Sequence, residues 1–425
     1  VDLIAGVDDS DQSVTDATTE AANIVDQDVA ESGETITLTN DLNSNTGGAD
    51  LKTGTPANDT FRGLTDESFT AADILDGAGG TDRLEARYTV NADPDTGTGN
   101  DGIAGNTESI ENVFVEANWS TDNSADSTNF SFDVADMSGV EQLWNEDSSN
   151  ATPDAANGGT DETLTLDNVS TDTTVGLRAT AVATVVNYAS TSGANTVTFA
   201  FDGIAGAAAG TGNNDGQASA LTADGVETVN IATSGDDSAL ANLNGDSIET
   251  VNVSGDAALT LAAIASSITK IDANKLGDSL SVTVGSTDID VTGSASDDAF
   301  GFGSNLDTND TVDGGDGTDT LAVADSGNIS SAAFKNVSNV EELSLSDSSD
   351  ATVNVANLGD AFQVVNFAIT DNSTGGNSVN VTANGLSSGN SLTVTSENLA
   401  NGDSSTAQQL NPLGTVTLNL ADASA

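Results

Sequence analysis

Gly225-Val226-Glu227-Thr228-Val229 is followed by Ser247-Ile248-Glu249-Thr250-Val251, the same phrase 22 residues later. The spacing continues: Val226, Ile248, Ile268 and Ile289 stand 22, 20 and 21 residues apart. Related phrases are Ser109-Ile110-Glu111-Asn112-Val113, Gly139-Val140-Glu141-Gln142-Leu143 and Asn339-Val340-Glu341-Glu342-Leu343. Each reads as a turn, an inward Val or Ile, an outward Glu, and a second inward residue at period two. Val340 and Phe362 are again 22 apart, with Leu343/Val365 and Leu345/Phe367 in matching places. About 20 residues make one coil of a β-solenoid, in which each coil buries its apolar side on the next. The spacing predicts solenoid coils over 221–290 and 335–425.

The remainder of the chain is also strand-like. Thr35-Ile36-Thr37-Leu38-Thr39 alternates at period two, as do Thr163–Leu166, Val197–Phe199, Leu280–Val284, Leu392–Val394 and Val416–Leu420. Thr and Val favour strands, while Gly, Asn and Asp favour the turns between them. Four prolines in 425 residues leave the ladders largely uninterrupted. The predicted class is all-β, built of β-solenoid and β-sandwich-like modules with ion-binding loops. The start differs, because Val14, Ala17, Ala21, Ile24, Val25 and Val29 recur at helical spacing. Ser13 and Asp16 resemble a capping box and Gly33 ends the pattern, so a short N-terminal helix is expected, packed on its own domain or docked on a neighbouring subunit. No basic segment or apolar stretch of a secretory signal is seen at Val1-Asp2-Leu3. The expected divisions are an acidic arm at 1–33, a β module at 34–116, a middle β region at 117–220, solenoid coils at 221–290, and a C-terminal solenoid and assembly region at 291–425.

Composition removes whole classes of function. Eight Lys+Arg face 67 Asp+Glu, for a formal charge of −59, and the chain has neither His nor Cys. Thiolate and imidazole chemistry is therefore excluded. Nucleic acid is excluded as a partner, since binding it needs clustered cations. No run approaches the roughly 18 apolar residues of a membrane span, so the chain is not expected to be transmembrane. High charge with few aromatics also marks disorder, but the alternating apolar runs oppose that reading. Catalysis by paired acids is weighed and set aside: Trp119, Trp144, Tyr88 and Tyr188 are all the Trp and Tyr present, few for a sugar-binding cleft.

A longer duplication carries the chemistry. The first copy is Gly54-Thr55-Pro56-Ala57-Asn58-Asp59-Thr60-Phe61, then Asp73-Ile74-Leu75-Asp76-Gly77-Ala78-Gly79-Gly80-Thr81-Asp82-Arg83-Leu84. The second is Gly293-Ser294-Ala295-Ser296-Asp297-Asp298-Ala299-Phe300, then Asp310-Thr311-Val312-Asp313-Gly314-Gly315-Asp316-Gly317-Thr318-Asp319-Thr320-Leu321. Asp at steps of three among glycines turns several carboxylates and freed carbonyls toward one spot. Unpaired, those charges repel, and a hard dication with six to eight oxygen ligands removes the conflict. Oxygen-only ligation favours calcium over zinc or copper, and its looser geometry favours it over magnesium. Solvated Asx turns are the alternative for any lone Asp-Gly. The candidate ligands are Asn58, Asp59, Asp73, Asp76 and Asp82 in the first block, and Asp297, Asp298, Asp310, Asp313, Asp316 and Asp319 in the second. A third candidate is the Gly-rich loop from Asp93 through Asp95 to Asp101, which departs from an EF-hand because Ala104 replaces its Glu. Asp8-Asp9-Asp11 and Asp288-Ile289-Asp290 read as solvated acids.

The duplicated phrase, Gly-x-x-x-[Asn/Asp]-Asp-x-Phe followed by Asp-x-x-Asp-Gly and Gly-Thr-Asp-x-Leu, resembles the calcium-binding repeats of secreted RTX-like proteins. With its Thr/Ala/Asn-rich strands, the chain is similar to calcium-dependent bacterial surface-layer proteins. That resemblance implies calcium-dependent folding, self-assembly outside the cell, and export by type I secretion with a C-terminal signal. The chain departs from long RTX arrays in having barely one and a half units per copy. The expected function is a self-assembling surface coat with itself as partner and cell-surface polysaccharide as a second one. A calcium-dependent adhesin or matrix fibre is the alternative.

Overall fold

A computed structural model describes residues 33–39, 49–65, 68–90, 103–119, 129–149, 163–180, 182–204, 219–325 and 332–347, with strands at 351–354, 364–370, 381–386, 391–397 and 416–420. The expected N-terminal helix and the loop holding Asp93, Asp95 and Asp101 lie outside the described residues. The chain divides into two compact units, Val1–Ser190 and Thr191–Ala425.

In the first unit the main sheet takes Thr35–Thr37, Thr60–Gly63, Arg83–Val90, Asn112–Trp119, Gln142–Glu146 and Thr174–Arg178 in that order. Each pair is parallel, and Ile36, Phe61, Leu84, Val113, Leu143 and Val175 occupy one rung position. Two further parallel sheets close the coils. One holds Leu51–Thr53, Ile74–Asp76, Asn106–Glu108 and Met137–Ser138; the other holds Ile103–Ala104, Phe130–Asp133, Thr163–Val169 and Ala183–Tyr188. The inside is rich in aromatic rings: Phe61, Phe69, Phe130, Phe132 and Tyr88 are buried, and the Tyr88 and Phe130 rings stand 4.8 Å apart. Burying each such side chain stabilises the unit by about 1.5–3 kcal/mol.

The second unit repeats the plan. Its main sheet runs Thr196–Asp202, Thr228–Thr233, Thr250–Gly255, Lys270–Leu276, Asp290–Thr292, Thr311–Asp313 and Val337–Ser338. Val197, Val229, Val251, Ile271, Val291 and Val312 form its buried column. A second sheet runs Ser238–Leu240, Leu259–Leu261, Leu280–Thr283, Ala299–Gly303, Thr320–Asp325, Glu342–Asp347, Val364–Thr370 and Ser391–Glu397. Ala351–Asn354, Val381–Leu386 and Val416–Leu420 make a small third sheet.

The predicted coil period is confirmed in detail. Val226, Ile248, Ile268 and Ile289 are all buried one or two residues before their strands, and Leu343 pairs with Val365 and Leu345 with Phe367. The described ladders of the first unit are parallel as well, so its described residues form coils where a β module and a middle β region were expected. Parallel strands cannot be joined by tight hairpins, so each must be reached by a full circuit of the coil.

Candidate metal centres

Each duplicated block folds as two turns stacked on adjacent coils. In the first unit, Gly54–Asp59 leads into Thr60–Gly63 and Gly77–Asp82 leads into Arg83–Val90, in register through Thr60 and Arg83. In the second unit, Gly293–Asp298 leads into Ala299–Gly303 and Gly314–Asp319 leads into Thr320–Asp325, in register through Ala299 and Thr320.

Four side-chain bonds recur at the same places in the two copies. The Asp59 carboxylate accepts the Thr55 N–H at 2.5 Å, as Asp298 accepts the Ser294 N–H at 2.6 Å. Asp59 N–H donates to Asp82 Oδ1 at 2.6 Å, and Asp298 N–H to Asp319 Oδ1 at 2.8 Å. Thr81 N–H donates to Asn58 Oδ1 at 2.8 Å, and Thr318 N–H to Asp297 Oδ1 at 2.7 Å. The column then continues into the Glu of the repeated phrase. Asp82 N–H reaches Glu111 Oε2 at 2.7 Å, and Asp319 N–H reaches Glu341 Oε2 at 3.0 Å. Sequence reasoning took these glutamates as outward. Their carboxylates instead lie along the corner, in the column begun by the aspartates. The signal available was position: Glu111 and Glu341 precede their strands by the same step as Asp82 and Asp319.

One oxygen in each copy is left over. Asp82 Oδ2 and Asp319 Oδ2 are buried and have no hydrogen-bond partner. A buried acceptor without a donor costs about 1–3 kcal/mol, and more if charged. Around it lie oxygens: a Cβ built on Gly77 would stand 2.3 Å from Asp82 Oδ2 and 1.9 Å from the Ser109 carbonyl. On Gly314 it would stand 2.5 Å from Asp319 Oδ2 and 1.9 Å from the Asn339 carbonyl. One coil earlier, the same construction on Gly54 meets Asp59 Oδ2 and the Gly77 carbonyl, and on Gly293 it meets Asp298 Oδ2 and the Gly314 carbonyl. A seam of carboxylate and carbonyl oxygens therefore follows each corner, lined by glycine Cα atoms. An oxygen-only seam with an orphaned carboxylate oxygen suits a hard cation such as calcium. Among the described residues no cluster of three or more acidic side chains converges as a ready cage, because the acids are strung one per coil.

The column strains against its own charge. Burial, then the nearby charges of Asp298, Glu341 and Asp297, push Asp319 up to about 6. Burial and then Glu111, Asp59 and Asp76 raise Asp82, while burial and Asp297 raise Asp298. Backbone N–H donors pull each of them partly back.

The other predicted ligands separate from this seam. Asp73 and Asp310 are buried at another corner, where Asp73 takes N–H bonds from Asp50 and Thr70 and Asp310 from Ile289 and Asp307. These are turn-fixing contacts, and burial together with Asp50 raises Asp73. Asp76 caps the Ala78 N–H of its own turn, and Asp313 accepts from the Asn339 amide. Asp316 is exposed at the turn tip. The structure thus assembles Asn58, Asp59 and Asp82 in one unit and Asp297, Asp298 and Asp319 in the other. Compared with protein-family models and with curated proteins, the chain gives no match.

Proposed function

We propose that this chain is a structural, self-assembling protein of a bacterial cell surface whose coils are held by calcium at the two turn pairs. The carrying observation is the orphaned oxygen at the same place in both copies, Asp82 Oδ2 and Asp319 Oδ2, each within an oxygen-only seam. Calcium would be held by Asp59, Asp82 and the Gly77 and Ser109 carbonyls in the first unit. In the second unit it would be held by Asp298, Asp319 and the Gly314 and Asn339 carbonyls. It would supply the positive charge that a column of stacked carboxylates lacks, and its binding energy would add to the folding energy of the coils. Stacked coils with small side chains suit a mass-produced coat, and residues 335–425 supply a contact region without an Asp-Gly block.

The experiment is a thermal melt and negative-stain imaging of the purified chain in millimolar calcium and in chelator, at matched sodium chloride. Calcium is expected to raise the melting temperature and to give ordered sheets or filaments that chelation disperses. A melt indifferent to chelator removes calcium from the fold. A calcium-stabilised chain that stays monomeric throughout favours the adhesin reading over the coat.

A further inference from the structure

All four arginines of a chain with formal charge −59 lie on one face. Arg62, Arg83, Arg87 and Arg178 point outward from the main sheet of the first unit, where they share three glutamates. Glu85 sits between Arg62 and Arg83 at 2.8 and 2.7 Å; Glu146 sits between Arg83 and Arg178 at 3.3 and 2.7 Å; Glu116 takes Arg87 at 2.6 Å. Four cations on three anions leave a positive balance in a molecule that is acidic elsewhere. The face is also packed. Phe114 and Trp144 stack on it at 6.0 Å with planes 9° apart, covered by the Arg83 guanidinium 3.4 Å above Phe114 and that of Arg178 4.5 Å above Trp144. Gly176 makes room for the Trp144 ring, since a Cβ there would fall 2.1 Å from it. Arg62 and Arg87 cover no ring and are the most exposed of the four, at 44% and 48%. Their described ion pairs use Nε alone, which leaves the terminal guanidinium nitrogens to meet a second anion.

We propose that this arginine face is a self-assembly surface that docks an acidic ridge of a second copy of the chain. Resting on the coat reading above, this names the contact. The ridge is at one corner of the second unit, where Asp236 and Asp256 are exposed on successive coils and Asp278 follows on the next. No ion pair neutralises it among the described residues. Opposite charge carries the contact: exposed guanidinium groups on one copy meet exposed carboxylates without an ion pair on the other. Face to ridge joins two different surfaces of the chain, a heterologous contact.

The test uses the full chain in millimolar calcium, with assembly followed by sedimentation and negative stain. Arg62→Glu with Arg87→Glu, and separately Asp236→Lys with Asp256→Lys, should each raise the concentration needed for assembly by roughly tenfold or more. Melting in calcium should stay near that of the parent, because Arg83 and Arg178 still cover the rings. Mixing the two charge-reversed chains should restore assembly, because each supplies the complement the other lost. Assembly of either variant at the parental concentration overturns the proposal while leaving the coat reading intact. Failure of the mixture, with each variant alone defective, overturns the assigned ridge. Loss of polygalacturonate binding by the arginine variant with assembly unchanged makes the face a polysaccharide site instead. A parent chain that never assembles defeats the coat reading and this contact together.

Discussion

The two stacked-turn pairs share their hydrogen bonds and differ in charge. Asp297 replaces Asn58, Asp316 replaces Gly79, and Thr320 stands where Arg83 follows Asp82. The second pair therefore carries two more carboxylates and lacks the adjacent guanidinium. Its buried Asp319 is pushed up to about 6 by burial and then by its acidic neighbours. The turn's shape is a backbone matter, fixed by glycines and N–H donors, so it survives these exchanges. The electrostatic load is a side-chain matter, and it is heavier in the second unit. The ion pairs described for this chain all lie in the first unit, which can offset its acids locally. The second unit has more to gain from a dication.

The largest expected effect tests the shared shape. Gly77→Ala and Gly314→Ala each force a Cβ to within 1.9 Å of a carbonyl oxygen on the next coil. Each is expected to cost about 3 kcal/mol or more, read as a lowered midpoint in urea unfolding. If one is tolerated and the other is not, the pairs are not equivalent in backbone geometry.

Next comes the difference in charge. Asp319→Asn should abolish calcium binding at the second pair and leave the first, as read by isothermal titration, and Asp82→Asn should do the converse. In chelator Asp319→Asn should stabilise the protein by roughly 1–2 kcal/mol, because it removes a buried charge among like charges. Asp82→Asn should gain less. Loss of all sites from either substitution would mean one shared centre.

Acidity should then separate the two forms of the protein. Asp319 is raised in the folded chain, so the fold binds its proton more tightly than the unfolded chain does. Without calcium, stability should rise as pH falls from 7 through about 6 and level off below the ordinary carboxylate value. With calcium the sign reverses, since the proton competes for the same oxygen. Melting temperatures across that range, with and without chelator, give the two slopes. Parallel slopes would place calcium elsewhere.

The smallest effect sharpens the comparison at one backbone position. Ala78 holds φ at 69°, a left-handed conformation that its counterpart Gly315 adopts at 100° without a Cβ. Ala78→Gly should stabilise the first unit by up to about 1 kcal/mol. A destabilisation would mean that the Ala78 methyl packs usefully.

How much of this was legible depended on loop length. Between 226 and 289 the coils have nearly equal length, so Val226, Ile248, Ile268 and Ile289 announce the period in the sequence. In the first unit the same rung passes from Phe61 to Leu84, Val113, Leu143 and Val175, rising by 23, 29, 30 and 32 residues. Unequal connections erase a fixed period while leaving the register intact. Strands there were readable one by one, but not their common stack. The site was half legible. The duplication exposed Asp59, Asp82, Asp298 and Asp319, yet it grouped them with Asp73 and Asp310, which serve another corner. It also left out Glu111 and Glu341, which a phrase-by-phrase reading turned outward.

By itself the sequence determined the strand class, the coil length where loops are even, the all-oxygen chemistry and the pairing of two like blocks. Those follow from local properties: alternation at period two, residue type, and spacing along the chain. Only the tertiary structure decided which acids share a corner, which carboxylate oxygen is buried without a donor, and that four arginines scattered from 62 to 178 meet on one face. The physical reason is that a parallel coil brings together residues 20 to 30 positions apart. What touches what is then set by the register between coils, and register belongs to the stack rather than to any one stretch of chain.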